Sequence, residues 1–186
     1  MLVPDHCTEH EIRICGLNVC GLNSKLKNGI FEDYIKKFHI ICLSETKVKL
    51  DVKTENYECF KLPPNVKKYL YPGIHGINIL VSNTYKGSVV QLQDDVVCDS
   101  ALWIKVNAQF LLCSIYIPHE ASKHFCNDIF DNLATDTSTL FAKYNLPIML
   151  IGDFNSRTGM LDDFMAENEI VNSASPLLNY DGHIIK

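Results

Sequence analysis

Residues 150–159 read Leu150-Ile151-Gly152-Asp153-Phe154-Asn155-Ser156-Arg157-Thr158-Gly159. Together with Pro147, Ile148 and Met149, the run 147–154 is apolar almost throughout and does not alternate. That is the pattern of a central strand covered on both faces. Gly152 then lets the chain turn, and Asp153 and Asn155 stand at the strand's end. In a packed sheet, strand ends are delivered to a common edge where ligands bind.

Seven further short runs have strand character: 11–19, 39–44, 57–62, 75–82, 87–93, 101–108 and 109–117. Clear alternation in ALWIKVNA (101–108) predicts one solvated face. Three of these runs finish as the 147–154 run does, in oxygen-bearing side chains. The first carries Asn18, the second leads into Ser44-Glu45-Thr46-Lys47, and the 109–117 run carries Tyr116 ahead of Pro118. Two segments have helical spacing instead. In 24–38 the apolar set is Leu26, Ile30, Phe31, Tyr34, Ile35 and Phe38, with Ser24 placed as N-cap. In 122–144 it is Phe125, Ile129, Phe130, Leu133, Leu140, Phe141 and Tyr144, with Ser122 as cap. These stripes predict core faces on a sheet, and strands outnumbering helices predict a layered α/β architecture with much antiparallel pairing.

Carboxylates and amides gathered at one edge suit a hard cation, Mg²⁺ or Mn²⁺, and phosphoryl chemistry. Singly, each residue has a plainer explanation: a turn-forming Asn18, Asn23 or Asn155, a half-buried Tyr116, an Asp153 capping a helix in GMLDDFMAE (159–167). The combination carries the reading.

The 186 residues, 47% hydrophobic and 21% charged, exclude disordered, collagenous and coiled-coil classes and suit one domain. A net charge of −5 argues against coating nucleic acid by bulk electrostatics. The charge is uneven: residues 1–68 hold 11 Lys+Arg against 9 Asp+Glu, and 69–186 hold 6 against 13, so phosphate contacts must be local. Eight cysteines without a C-x-x-C pair, two of them (Cys42, Cys113) inside apolar runs, read as reduced thiols. With no signal peptide in the opening MLVPDHCTEHEIR, the expected location is the nucleus or cytoplasm, without a membrane.

At these residues the sequence resembles the endonuclease/exonuclease/phosphatase superfamily, and within it the apurinic-type endonuclease domain of LINE-type non-LTR retrotransposons. LNVCGLNSKL (17–26) and HIICLSETK (39–47) match its first two motifs, HGINILVSN (75–83) its glycine strand, CSIYIPHEAS (113–122) its tyrosine motif, and LIGDFNSRTG (150–159) the most specific one. The resemblance implies a four-layer α/β sandwich of two packed mixed sheets flanked by helices. It also implies metal-dependent hydrolysis of phosphodiesters, nicking DNA beside a fused reverse transcriptase. By position, Glu45 would be the principal metal ligand with Asn18 beside it. Tyr116 would contact the phosphate, Asp153 would align water, and Asn155 would bind phosphate or hold Asp153. Lys47, Arg157 and Asn23 would face substrate.

Two departures stand out. Gly76-Ile77 replaces a pair of glycines, and the family's final Ser-Asp-His strand has no counterpart. His183, in NYDGHIIK (179–186), belongs to a helix entry, and His119 reads as a loop residue. The expectation is a tail over 1–10 and a domain over 11–186 that is incomplete at its C-terminus and impaired, since single preorganised groups are worth about 3 kcal/mol each. A non-catalytic retroelement remnant that binds nucleic acid or a partner is the alternative. Phospholipid or phosphoinositide hydrolysis comes third, because the RTG after GDFNS points to the retroelement branch.

Overall fold

The computed structural model describes residues 11–48, 54–62, 76–120, 122, 125–155, 177–178 and 184–185. The chain divides into two compact units, Met1–Asn155 and Ser156–Lys186.

All eight predicted strands of the first unit form: β1 (Ile14–Asn18), β2 (Ile40–Ser44), β3 (Tyr57–Lys61), β4 (Asn78–Ser82), β5 (Val89–Leu92), β6 (Ala101–Val106), β7 (Phe110–Tyr116) and β8 (Ile148–Asp153). They make two mixed sheets of four, ordered β1-β2-β4-β3 and β5-β6-β7-β8. In each sheet one pair is parallel, β1 with β2 and β7 with β8. In the second unit, β9 (Leu177–Leu178) pairs antiparallel with β10 (Ile184–Ile185).

Strand periodicity explains the layers. In β2, Ile40 and Cys42 enter a core between the sheets with Ile79 and Val81 of β4 and Leu102, Ile104 and Leu112 from the other sheet. The alternate residues Ile41 and Leu43 meet two short helices, α1 (Leu22–Lys25) and α2 (Gly29–Ile35), through Leu22 and Ile35. On the far side Trp103, Leu111, Cys113 and Ile115 pack against Ile129, Leu133 and Leu140 of α3 (Asp128–Tyr144). Two sheets face to face with helices outside make the four-layer sandwich. Cys42 and Cys113 are buried free thiols within it, and burial pushes the Cys42 thiol up to about 12.

Several local expectations are corrected. Ser24 is not an N-cap: it lies inside α1, and its hydroxyl donates back to the Gly21 carbonyl. Asn28 caps α2 instead, its Oδ1 accepting from the Ile30 N–H at 3.0 Å. Ser122 lies in a turn whose N–H donates to His119 O, and α3 starts six residues later with Asp128 and Asp131 in its first turn. The helical stripes are narrower than their apolar content suggests. Ile30 is 80% exposed, and Tyr34, Phe130 and Phe141 face solvent as well. The face of β6 expected in water is covered by α3, which buries Trp103 fully. Conversely β8, expected to be central, is paired on one side only among the described residues, with Met149 and Leu150 partly exposed. The helix suggested by 159–167 lies outside the described residues.

Close approach of the sheets depends on Gly16, where a Cβ would sit 2.5 Å from Ile151 Cγ2. Gly152 matters more, because a Cβ there would overlap the backbone carbonyl of Ile115. Gly152→Ala should therefore lower unfolding stability by ~2 kcal/mol or more, since backbone cannot rotate away as a side chain can. Gly29→Ala, at a helix start with no heavy atom within 4 Å, should raise it by ~0.5 kcal/mol. Urea midpoints of the two variants check both signs.

Candidate active site

Because β1/β2 and β7/β8 are parallel pairs, Asn18 aligns with Ser44 and Tyr116 with Asp153, and all four strands finish at one edge. The chain beyond them stays tied across that edge. Val19 N–H donates to Ser44 O at 3.0 Å, Gly21 N–H to Glu45 O at 2.8 Å, and Ile117 N–H to Asp153 O at 2.8 Å.

The Asn18 amide is at the centre. Its Nδ2 donates to Glu45 Oε1 and to Asp153 Oδ2, each at 2.8 Å. Its Oδ1 accepts from the Cys20 N–H at 3.1 Å, which fixes the amide with its nitrogen toward the carboxylates. The remaining oxygens are also engaged: Lys47 Nζ lies 3.2 Å from Glu45 Oε2, and the Asn155 N–H donates to Asp153 Oδ1 at 3.0 Å. Asn155 thus holds Asp153 through its backbone, while its Nδ2 donates to Ile117 O at 2.8 Å. Of the six non-glycine residues with positive φ among those described, four (Cys20, Glu45, Lys47 and Asn155) are at this edge. Such conformations cost about 1–2 kcal/mol apiece outside glycine and concentrate at functional sites.

The electrostatics follow from the contacts. Burial works to raise the Glu45 carboxyl, but the bonds from Asn18 and Lys47, the Lys47 charge and the Tyr116 hydroxyl outweigh it and hold the group below the ordinary carboxylate value. Burial, then the Glu45 and Asp153 charges, push the Tyr116 phenol up to about 12. It is therefore a protonated donor at neutral pH. Bonds to Cys20 and Glu45 raise Lys47, which stays an ammonium.

Among the described residues no three His, Cys, Asp or Glu side chains cluster. The donor set is two carboxylates tied to one amide nitrogen, which fits a hard cation that keeps its waters better than it fits zinc. Of the predicted substrate residues, Lys47 is paired with Glu45 and Asn23 is exposed on α1. Arg157 lies outside the described residues. The sequence reading missed Cys20, whose Sγ is 3.2 Å from Lys47 Nζ, and the buried Thr46 and Asn78 behind Glu45. The one signal for the last was an amide interrupting the apolar run 77–81.

No family model matches the sequence, and no curated protein does. Solved structures do. The catalytic domain of APE2 from Xenopus laevis superposes with a TM-score of 0.59 at 16% identity, over 84% of this chain and 64% of that one. The 3′ phosphatase NExo from Neisseria, solved with a product DNA hairpin, gives 0.58 at 16% identity over 86% and 63%. An AP endonuclease from Archaeoglobus fulgidus gives 0.53 at 17% identity over 84% and 63%. The chain has their fold and spans just under two thirds of their length.

Removing the central amide should free the Glu45 carboxyl to titrate higher. In Asn18→Ala, carboxyl-detected NMR should show Glu45 half-protonated at a higher pH than in the wild type. A depressed folded value means that Glu45 adds stability above its ordinary 4.5, and that this is lost as pH falls through the lowered value. The variant should narrow that acid window from below.

Proposed function

We propose that this edge is the active site of a metal-dependent phosphodiester hydrolase of endonuclease type, nicking DNA as in the LINE-type retrotransposon domain the sequence resembles. The observation that carries the proposal is the Asn18 bridge, which gathers Glu45 and Asp153 from the ends of two different sheets.

Glu45, with Asn18 beside it, would hold Mg²⁺ or Mn²⁺, which supplies polarisation of a phosphate oxygen and offsets charge on the leaving oxygen. The chain's own groups do the rest. Asp153, oriented by Asn18 and the Asn155 N–H, accepts a proton from the attacking water. Tyr116, whose hydroxyl bonds Glu45, would turn its one hydrogen to a phosphate oxygen when substrate enters. Asn155, whose amide bonds Ile117 O and the Tyr116 hydroxyl, holds the phenol in place as its N–H holds Asp153. Lys47 offers positive charge at the mouth, where phosphate contacts position substrate. DNA as partner, a reverse transcriptase in the same element and a nuclear or cytoplasmic location belong to this reading. The RTG that follows GDFNS and the DNA-bound neighbour support it.

A supercoiled-plasmid assay with Mg²⁺ tests it. Glu45→Ala and Asp153→Ala should each lower the nicking rate about 100-fold or more, the scale of losing one preorganised group. Nicking that survives both substitutions would come from a contaminating nuclease. Absence of nicking in the wild type would favour a non-catalytic remnant. Coding sequence downstream of codon 186 that continues into a reverse transcriptase would support the retroelement assignment.

A further inference from the structure

Glu45 and Lys47 have left-handed backbones, φ 51° and 52°, and flank Thr46. Whatever anchors Thr46 therefore sets the direction of both side chains. Thr46 is fully buried and held on three sides. Its N–H donates to Gly76 O at 3.1 Å and its carbonyl accepts from the Leu22 N–H at 2.8 Å. Its hydroxyl donates to Asn78 Oδ1 at 2.6 Å. Asn78, buried in β4 opposite Leu43, donates in turn from Nδ2 to Cys59 Sγ of β3 at 3.2 Å. Gly76, with φ 63°, has no room for a Cβ because the Thr46 hydroxyl fills the space. A polar chain thus runs from β3 through β4 to the residue beside Glu45, although buried polar groups are costly unless bonded.

We propose that the Thr46–Asn78 pair is the positioning device for Glu45: the buried hydroxyl–amide bond holds the strained turn that aims the Glu45 carboxylate at Asn18. Neither residue touches the reacting groups. The metal consequence rests on the reading of Glu45 given above; the geometric consequence does not.

The test compares Thr46→Val, which keeps shape and loses the donor, with Thr46→Ser, which keeps the donor, and with Glu45→Gln. Asn78→Leu breaks the same bond from its other end, should Thr46→Val fail to fold. The first readout needs no metal. The Asn18 side-chain amide signals in ¹H–¹⁵N NMR should move in Thr46→Val and Asn78→Leu as they do in Glu45→Gln, and stay in place in Thr46→Ser. Unmoved Asn18 signals in a variant that has only lost stability would overturn the proposal. The second readout is Mn²⁺ affinity by EPR titration. Thr46→Val should bind at least tenfold more weakly, and the Thr46→Val/Glu45→Gln double variant no more weakly than Glu45→Gln alone. Additive losses would show that Thr46 does not act through Glu45 and would also overturn it. A wild type that binds no Mn²⁺ would instead sink the metal reading of Glu45, and the Asn18 signals would still decide the positioning.

Discussion

The amide nitrogen of Asn18 ties the two sheets together at the edge where they must cooperate. It donates to Glu45, beyond β2, and to Asp153, at the end of β8, so one side chain spans 135 residues of sequence with two hydrogen bonds of 2.8 Å. The shared nitrogen holds the two carboxylates side by side, one oxygen of each on the same amide group. The arrangement is possible because each sheet contributes a parallel pair, which sends two strand ends the same way. Gly16 completes it by letting Ile151 of the facing sheet come close. Packing between the sheets and chemistry at their edge are therefore one constraint.

Around that bridge every carboxylate oxygen has a donor, and the donors differ in kind. Asn18 is neutral and fixed by the Cys20 N–H, Lys47 is charged and exposed, and the Asn155 N–H is backbone. In the proposed function, the neutral, fixed donors hold geometry while substrate charge arrives. In that reading the exposed ammonium can exchange its partner for a phosphate at little cost, because surface pairs are weak. This division would give an acidic chain a local way to meet a polyanion.

Much of this was legible in the sequence, for physical reasons. Unbroken apolar content marks strands without saying how they are covered: 40–44 is buried throughout, whereas 148–153 stands at a sheet edge among the described residues, and the polar residues that end both stand out because nothing in the core needs them. Helix ends were harder. Ser24 and Ser122 have the right side chains for caps, but an alternative bond was nearer: Ser24 returns to the Gly21 carbonyl, and Ser122 sits in a turn closed on His119. The exposure of Ile30, Phe130 and Phe141 was illegible because helical period gives a stripe, and only the sheet beneath decides how wide a stripe it covers. Thr46 and Asn78 are 32 residues apart, and their bond depends on the β2–β4 register, which no local pattern encodes.

The packing around Gly76 also bears on a departure from the motif that the sequence resembles. Where paired glycines are usual, this chain has Gly76-Ile77. Only the first position faces the Thr46 hydroxyl, which stands where a Cβ would go, and only that position has positive φ. The second points into the core between the sheets, where Ile77 is buried beside Ile79 and Tyr116. A side chain there adds to that apolar core, whereas a side chain at Gly76 would push Thr46, and with it Glu45, out of place. At Gly76 itself the positive φ, the Thr46 hydroxyl and the Lys47 backbone nitrogen all act against a side chain.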